Sequence, residues 1–106
     1  MARFDLYANP DDEFREIAPY LLDVQSEHVG ALPTRIVIPL RPLQRLALSS
    51  KPSDLLPVLE IRGQKYFLDT PALGAVPRQR LGQFAGSLAD RQETVFAALD
   101  RIFGAY

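Results

Sequence analysis

The stretch from Leu21 to Leu40 limits the possible folds of this chain more than any other part of it. It opens with Leu21-Leu22-Asp23-Val24-Gln25-Ser26, which reads as the end of a strand. It closes with Arg35-Ile36-Val37-Ile38-Pro39-Leu40, a β-branched run closed by proline. Ile and Val are stiff at χ1 and suit a pleated surface. A strand is expected over Arg35–Leu40, and since proline offers no N–H to a ladder, its end around Pro39 is expected at an edge or a bulge. Residues 26–34, punctuated by Gly30 and Pro33, read as a long polar loop between the two strands. Asp23 lies among apolar neighbours, so its carboxylate must face water or meet a donor.

Short strands continue on either side. Arg3-Phe4-Asp5-Leu6-Tyr7 alternates with period two, which places Phe4, Leu6 and Ala8 on one side and Arg3, Asp5 and Tyr7 on the other. Asn9-Pro10-Asp11-Asp12 stops that strand in a turn. A second strand is expected over Tyr20–Gln25. Residues 41–57 form an excursion with three prolines and three serines, packed down by Leu43, Leu46, Leu48, Leu55 and Leu56, with a short helical turn near Leu43–Leu46. Pro57–Ile61 and Lys65–Asp69, joined through Arg62-Gly63-Gln64, make the clearest hairpin. Ala72–Pro77 reads as a short extended piece.

The last third changes period. Leu81, Phe84, Ala85 and Leu88 recur at three and four residues, as do Val95, Leu99, Ile102 and Phe103, the stripe of an amphipathic helix. Gly82 and Gly86 each cost a helix about 1 kcal/mol relative to alanine, so the helix is expected only from Leu88 to Phe103. Ser87-Leu88-Ala89-Asp90 resembles a capping box with Asp in place of Glu, and Gly104 suits a left-handed C-cap. Strands first and one helix last argue for an antiparallel α+β domain, mostly β. A bent sheet closing into a small barrel with a C-terminal α-helix outside it would hide the edges.

The 106 residues read as a single domain, long enough to bury about two-thirds of the surface exposed when unfolded. With no cysteine, a disulfide framework and a thiolate metal site are excluded. A net charge of −1 argues against a broad electrostatic grip on nucleic acid. No apolar run approaches the ~18 residues that span a bilayer, and the N-terminus lacks the apolar stretch of a signal peptide. A cytoplasmic protein is expected.

The residues suggest little chemistry. His28 is the only histidine, and it has no serine or carboxylate partner at motif spacing. Asp11, Asp12 and Glu13 read as a solvated turn rather than a cation loop. Arg78 and Arg80 are too few for strong counterion-release binding, and meet either an acid or a partner. No catalytic residue, cofactor or metal is expected. Phe103 continues the apolar stripe of the helix toward the core. Tyr106, if held at a helix end, would serve as an aromatic anchor.

Asp23-Val24-Gln25-Ser26 followed by Val37-Ile38-Pro39-Leu40, with Leu56-Pro57-Val58, Ile61, Val76-Pro77, Arg91 and the apolar helix positions, resembles the CcdB family of plasmid-maintenance toxins over most of the chain. The resemblance implies one CcdB-like toxin domain over residues 1–106, a small antiparallel β-barrel of the CcdB/MazF type that acts as a homodimer. It implies a non-enzymatic toxin that binds the A subunit of DNA gyrase and traps the cleaved-DNA complex. A partly disordered CcdA-like antitoxin would neutralise it, with nucleic-acid contact and transcriptional autoregulation only through that complex. The gyrase-facing positions it implies are Phe4, Tyr7, Ser26, Val29, Phe103 and Tyr106. The helix end departs from the family. Where relatives often close with Phe-Trp-Gly-Ile, this chain has Phe103-Gly104-Ala105-Tyr106, so glycine stands in the tryptophan position. Two alternatives stand beside this reading. One is a MazF-like endoribonuclease toxin, against which the lone His28 and the slightly negative charge weigh. The other is a non-toxic CcdB relative that retains only antitoxin binding.

Overall fold

The computed structural model describes residues 2–47 and 53–104; Leu48 and Tyr106, both singled out above, lie outside them. The chain forms strands β1 (Asp5–Ala8), β2 (Tyr20–Asp23), β3 (Thr34–Pro42), β4 (Val58–Ile61), β5 (Gln64–Leu68), β6 (Gly74–Pro77) and β7 (Phe84–Ser87), followed by helix α1 (Gln92–Phe103). The strands make one antiparallel sheet in the order β4-β5-β3-β2-β1-β7, with β6 also on β3. The sheet curls into a half-barrel. This is the expected α+β architecture, mostly β, with the helix at the C-terminal end.

Strand β3 is the hub. It runs two residues past the expected end at Leu40, through Arg41 to Pro42, and Pro39 lies inside the sheet rather than at an edge. The reason lies in a change of partner. Val24 N–H donates to Ile36 O, so the even-numbered residues of β3 face β2 and residue 39 faces the other way. On that side β6 leaves at Val37, opposite Gly74, and β5 joins at Leu40, opposite Leu68. Pro39 fills the gap between them, where no donor is required, and its carbonyl accepts from Asp69 N–H at 3.0 Å.

Both faces of the sheet are buried. Leu6, Leu22, Ile38, Leu40, Leu59 and Leu68 make the main core, closed by Val95 and Ala98 of α1. The opposite face carries Tyr7, Leu21, Val37 and Phe67, also buried. Asp23 and Arg35 share that face. Asp23 pairs in register with Val37, and Arg35 lies two residues along, on the diagonal. Arg35 Nε donates to Asp23 Oδ2 at 2.7 Å, and Asp23 Oδ1 accepts from Gln25 N–H at 3.0 Å. The donor expected for Asp23 is thus a buried arginine.

The hairpin stands as expected, with Arg62 and Gly63 both at positive φ (52° and 80°) between β4 and β5, as a two-residue type I′ turn requires. A 3₁₀ turn at Leu43–Arg45 sits where a helical turn was expected. The helix starts at Gln92 rather than at the expected Leu88, and within the glycine-interrupted stripe Leu81–Leu88, set outside the helix above, Phe84–Ser87 is a strand paired with β1. Gly82 explains the choice: a Cβ there would run into the Ala8 carbonyl oxygen, so this segment lies close against β1 as only glycine permits. Ser87 Oγ accepts from Ala89 N–H at 3.1 Å to open a 3₁₀ turn over Ala89–Arg91, and α1 follows it. Gly104 ends α1 at φ 68°, ψ 37° with its N–H on Asp100 O, the predicted left-handed cap.

Candidate docking groove

The core stripe of α1 stops short of its sequence pattern. Val95 and Ala98 are buried and Leu99 is half-buried, but Ile102 and Phe103 emerge into solvent. Phe103 is 67% exposed, an unusual position for a phenylalanine on a helix that packs against a core. Its ring borders a groove of 430 Å³, lined also by Val24, Gln25, Ser26, Val29, Ile36, Leu73 and Leu99. Only Gln25 and Ser26 are polar in that set.

The groove forms because three segments meet. Strand β2 ends at Asp23 and the chain turns out at Ser26. Ser26 Oγ accepts from His28 N–H at 3.2 Å, which caps a single 3₁₀ turn over Glu27–Val29. That turn lifts Val29 to 45% exposure. Gln25, itself buried, ties the parts together: its Nε2 donates to Val29 O at 2.7 Å and its Oε1 accepts from Ile36 N–H at 2.9 Å. Leu73 arrives from the turn before β6, and α1 supplies Leu99 and Phe103, four residues apart on one helix face.

Three of the positions implied by the resemblance therefore converge: Ser26, Val29 and Phe103. Phe4 does not line the groove. It is 5% exposed and holds φ 73°, with its N–H on Asp23 O at 2.6 Å and its carbonyl on Leu88 N–H at 2.8 Å. Its ring supports Phe96 edge-on, with 5.4 Å between centroids. The Arg3 guanidinium lies over both rings, 5.4 Å from Phe4 and 4.7 Å from Phe96, near enough for cation–π attraction. Tyr7 is also 5% exposed, packed edge-on against Phe84 at 6.2 Å, with its hydroxyl 3.5 Å from Asp5 Oδ2. Burial, then the Asp5 and Asp23 carboxylates, push the Tyr7 phenol up from its ordinary range. Phe96, exposed at 36%, was missed from the sequence. Its signal was present, because it lies seven residues before Phe103 on the same helix face.

The other candidates are accounted for locally. His28 is exposed in the 3₁₀ turn. Asp11 Oδ1 accepts from Glu13 N–H at 3.0 Å and Asp12 pairs with Arg15 at 2.8 Å, so the acidic run is a turn. Arg78 donates to the Gly30 carbonyl. Among the described residues no three His, Cys, Asp or Glu side chains gather where a metal could sit, and no helix is long and apolar enough to cross a membrane.

The curled sheet, the single helix and the apolar groove at its tip define a small α+β protein that presents a hydrophobic docking surface. The family model described as CcdB protein matches residues 3–104. The chain belongs to the CcdB family, the toxin side of toxin–antitoxin modules. No curated protein matches the chain.

Proposed function

We propose that this protein is a non-enzymatic toxin that docks on the A subunit of DNA gyrase and traps the cleaved-DNA complex, halting replication and transcription. It acts as a homodimer in the cytoplasm and is neutralised by a CcdA-like antitoxin. Membership of the CcdB family supports the reading. The observation that carries it is Phe103, whose ring stands in solvent beside an apolar groove where Ser26 and Val29 meet the helix. A large exposed ring beside an apolar groove has the character of a binding hot spot. In this reading the protein makes and breaks no bond; its effect is differential binding to one state of the target.

The test is a gyrase-dependent DNA cleavage assay with the native chain and with Phe103→Ala. Gyrase-linked double-strand breaks with the native chain, lost in the variant, are the expected result. Absence of breaks at saturating native protein would sink the gyrase reading. The glycine at position 104, where relatives often carry tryptophan, favours a second reading: a relative that binds antitoxin but harms nothing. Tight antitoxin binding without gyrase-linked breaks would select it.

A further inference from the structure

Arg78 lies outside the groove yet grips its wall. The loop from Ser26 to Pro33 exposes most of its residues and buries none of those in its 3₁₀ turn. Packing therefore does little to fix it, and polar tethers must. Among the described residues, three outside the loop supply them. Gln25 Nε2 holds Val29 O, Arg3 N–H donates to Glu27 Oε1 at 3.1 Å, and Arg78 reaches across 48 positions to Gly30. Arg78 contributes twice: its backbone N–H donates to Pro33 O at 2.8 Å and its Nη2 donates to Gly30 O. One residue thereby clamps both ends of Gly30–Pro33. It can do so because β6 pairs with β3 with Pro77 opposite Thr34, so the next residue emerges beside Pro33.

The clamp is made at a cost. Arg78 Nε is buried with no hydrogen-bond partner among the described residues, a penalty that persists only where the rest of the geometry holds the guanidinium in place. The contact is charge-assisted, so it is stronger than a neutral hydrogen bond. It acts on the residue next to Val29, and Val29 is a wall of the groove.

We propose that Arg78 is a positioning residue for the docking groove: it fixes the Val29 wall before any partner arrives, so that binding does not have to order the loop. As a statement about partner affinity, this rests on the gyrase reading above.

The experiment uses the full chain and two variants. Arg78→Met keeps an unbranched apolar stem and removes the side-chain donors; Arg78→Lys keeps a charged donor. Amide exchange is followed at Val29, Gly30 and Leu32, which donate within the loop, and at β2 and β3 as internal controls. Affinity for gyrase A is measured in parallel. In Arg78→Met the loop amides should exchange about tenfold faster or more, the lower end of what one charge-assisted hydrogen bond is worth, with β2 and β3 unchanged. Affinity for gyrase A should fall about tenfold by the same reckoning, and Arg78→Lys should recover part of both. Native loop protection in Arg78→Met overturns the clamp, whatever gyrase does. A loosened loop with native affinity overturns its role in positioning. A native chain that does not bind gyrase A overturns the gyrase reading, while the exchange result still decides the clamp.

Discussion

Arg35 and Asp23 form an ion pair at 2.7 Å with side chains 1% and 0% exposed, on the face of the sheet turned away from the main core. The pair joins β2 to β3 where the ladder passes into the groove loop. Arg35 Nη2 has no hydrogen-bond partner among the described residues, so within them the arrangement is not fully satisfied.

Removing either partner should therefore be severe. Asp23→Ala and Arg35→Ala should each cost about 3–5 kcal/mol, because each leaves a buried charge uncompensated. Denaturant titration of the single and double variants gives the coupling. A double variant that loses the full sum of both single losses would show that the two side chains do not act together.

Phe103 and Phe4 should separate cleanly. Phe103→Ala should change stability by no more than about 0.5 kcal/mol, as for an exposed site, while weakening gyrase A binding by 2 kcal/mol or more, about 30-fold. Phe4→Ala should cost about 3–5 kcal/mol of stability by opening the core. Urea melts and calorimetric titration on the same samples check both; comparable stability losses in the two variants would contradict the burial described above.

Gly82→Ala should push β7 off β1, since the new methyl meets the Ala8 carbonyl oxygen. A loss of about 1–3 kcal/mol is expected, as for other overpacked sites. Faster exchange of the Ala8 amide, which donates to Gln83 O at 2.8 Å, would locate the damage.

Stability should fall at alkaline pH. Tyr7 and Tyr66 are both pushed above their ordinary value, first by burial. A raised folded value favours the protonated phenol, so the contribution is intact below about pH 10, the unfolded value. It is lost as pH rises through the folded value. A Tyr7→Phe/Tyr66→Phe variant should show a smaller decline above pH 10; parallel decline in the two proteins would contradict the assignment.

The strands and the final helix were legible because each repeats a pattern locally. Alternation marked β1, β-branched residues marked β3, and Gly63 marked the hairpin. Phe84–Ser87 was not legible, since its apolar spacing fits a helix and only the approach of Gly82 to Ala8 decides for a strand. Pro39 misled for a similar reason: whether its missing donor matters depends on β5 and β6, which lie far along the chain. Of the site, Ser26 and Val29 were found through the resemblance, as was the functional place of Phe103. Phe103 by itself reads as core, because periodicity cannot tell where a helix outruns the sheet it covers. Arg78 was noted only as half of a basic pair meeting an acid or a partner, because no local pattern points to a backbone carbonyl 48 residues away.

The change of partner at Pro39 also bears on what the sheet will not do. A stray extended chain probing that side of β3 finds a position with no proton to offer, and a carbonyl already engaged by Asp69. Aggregation by strand addition needs an unbroken row of free backbone groups. At its most connected strand, this toxin carries a built-in refusal to be used as a template.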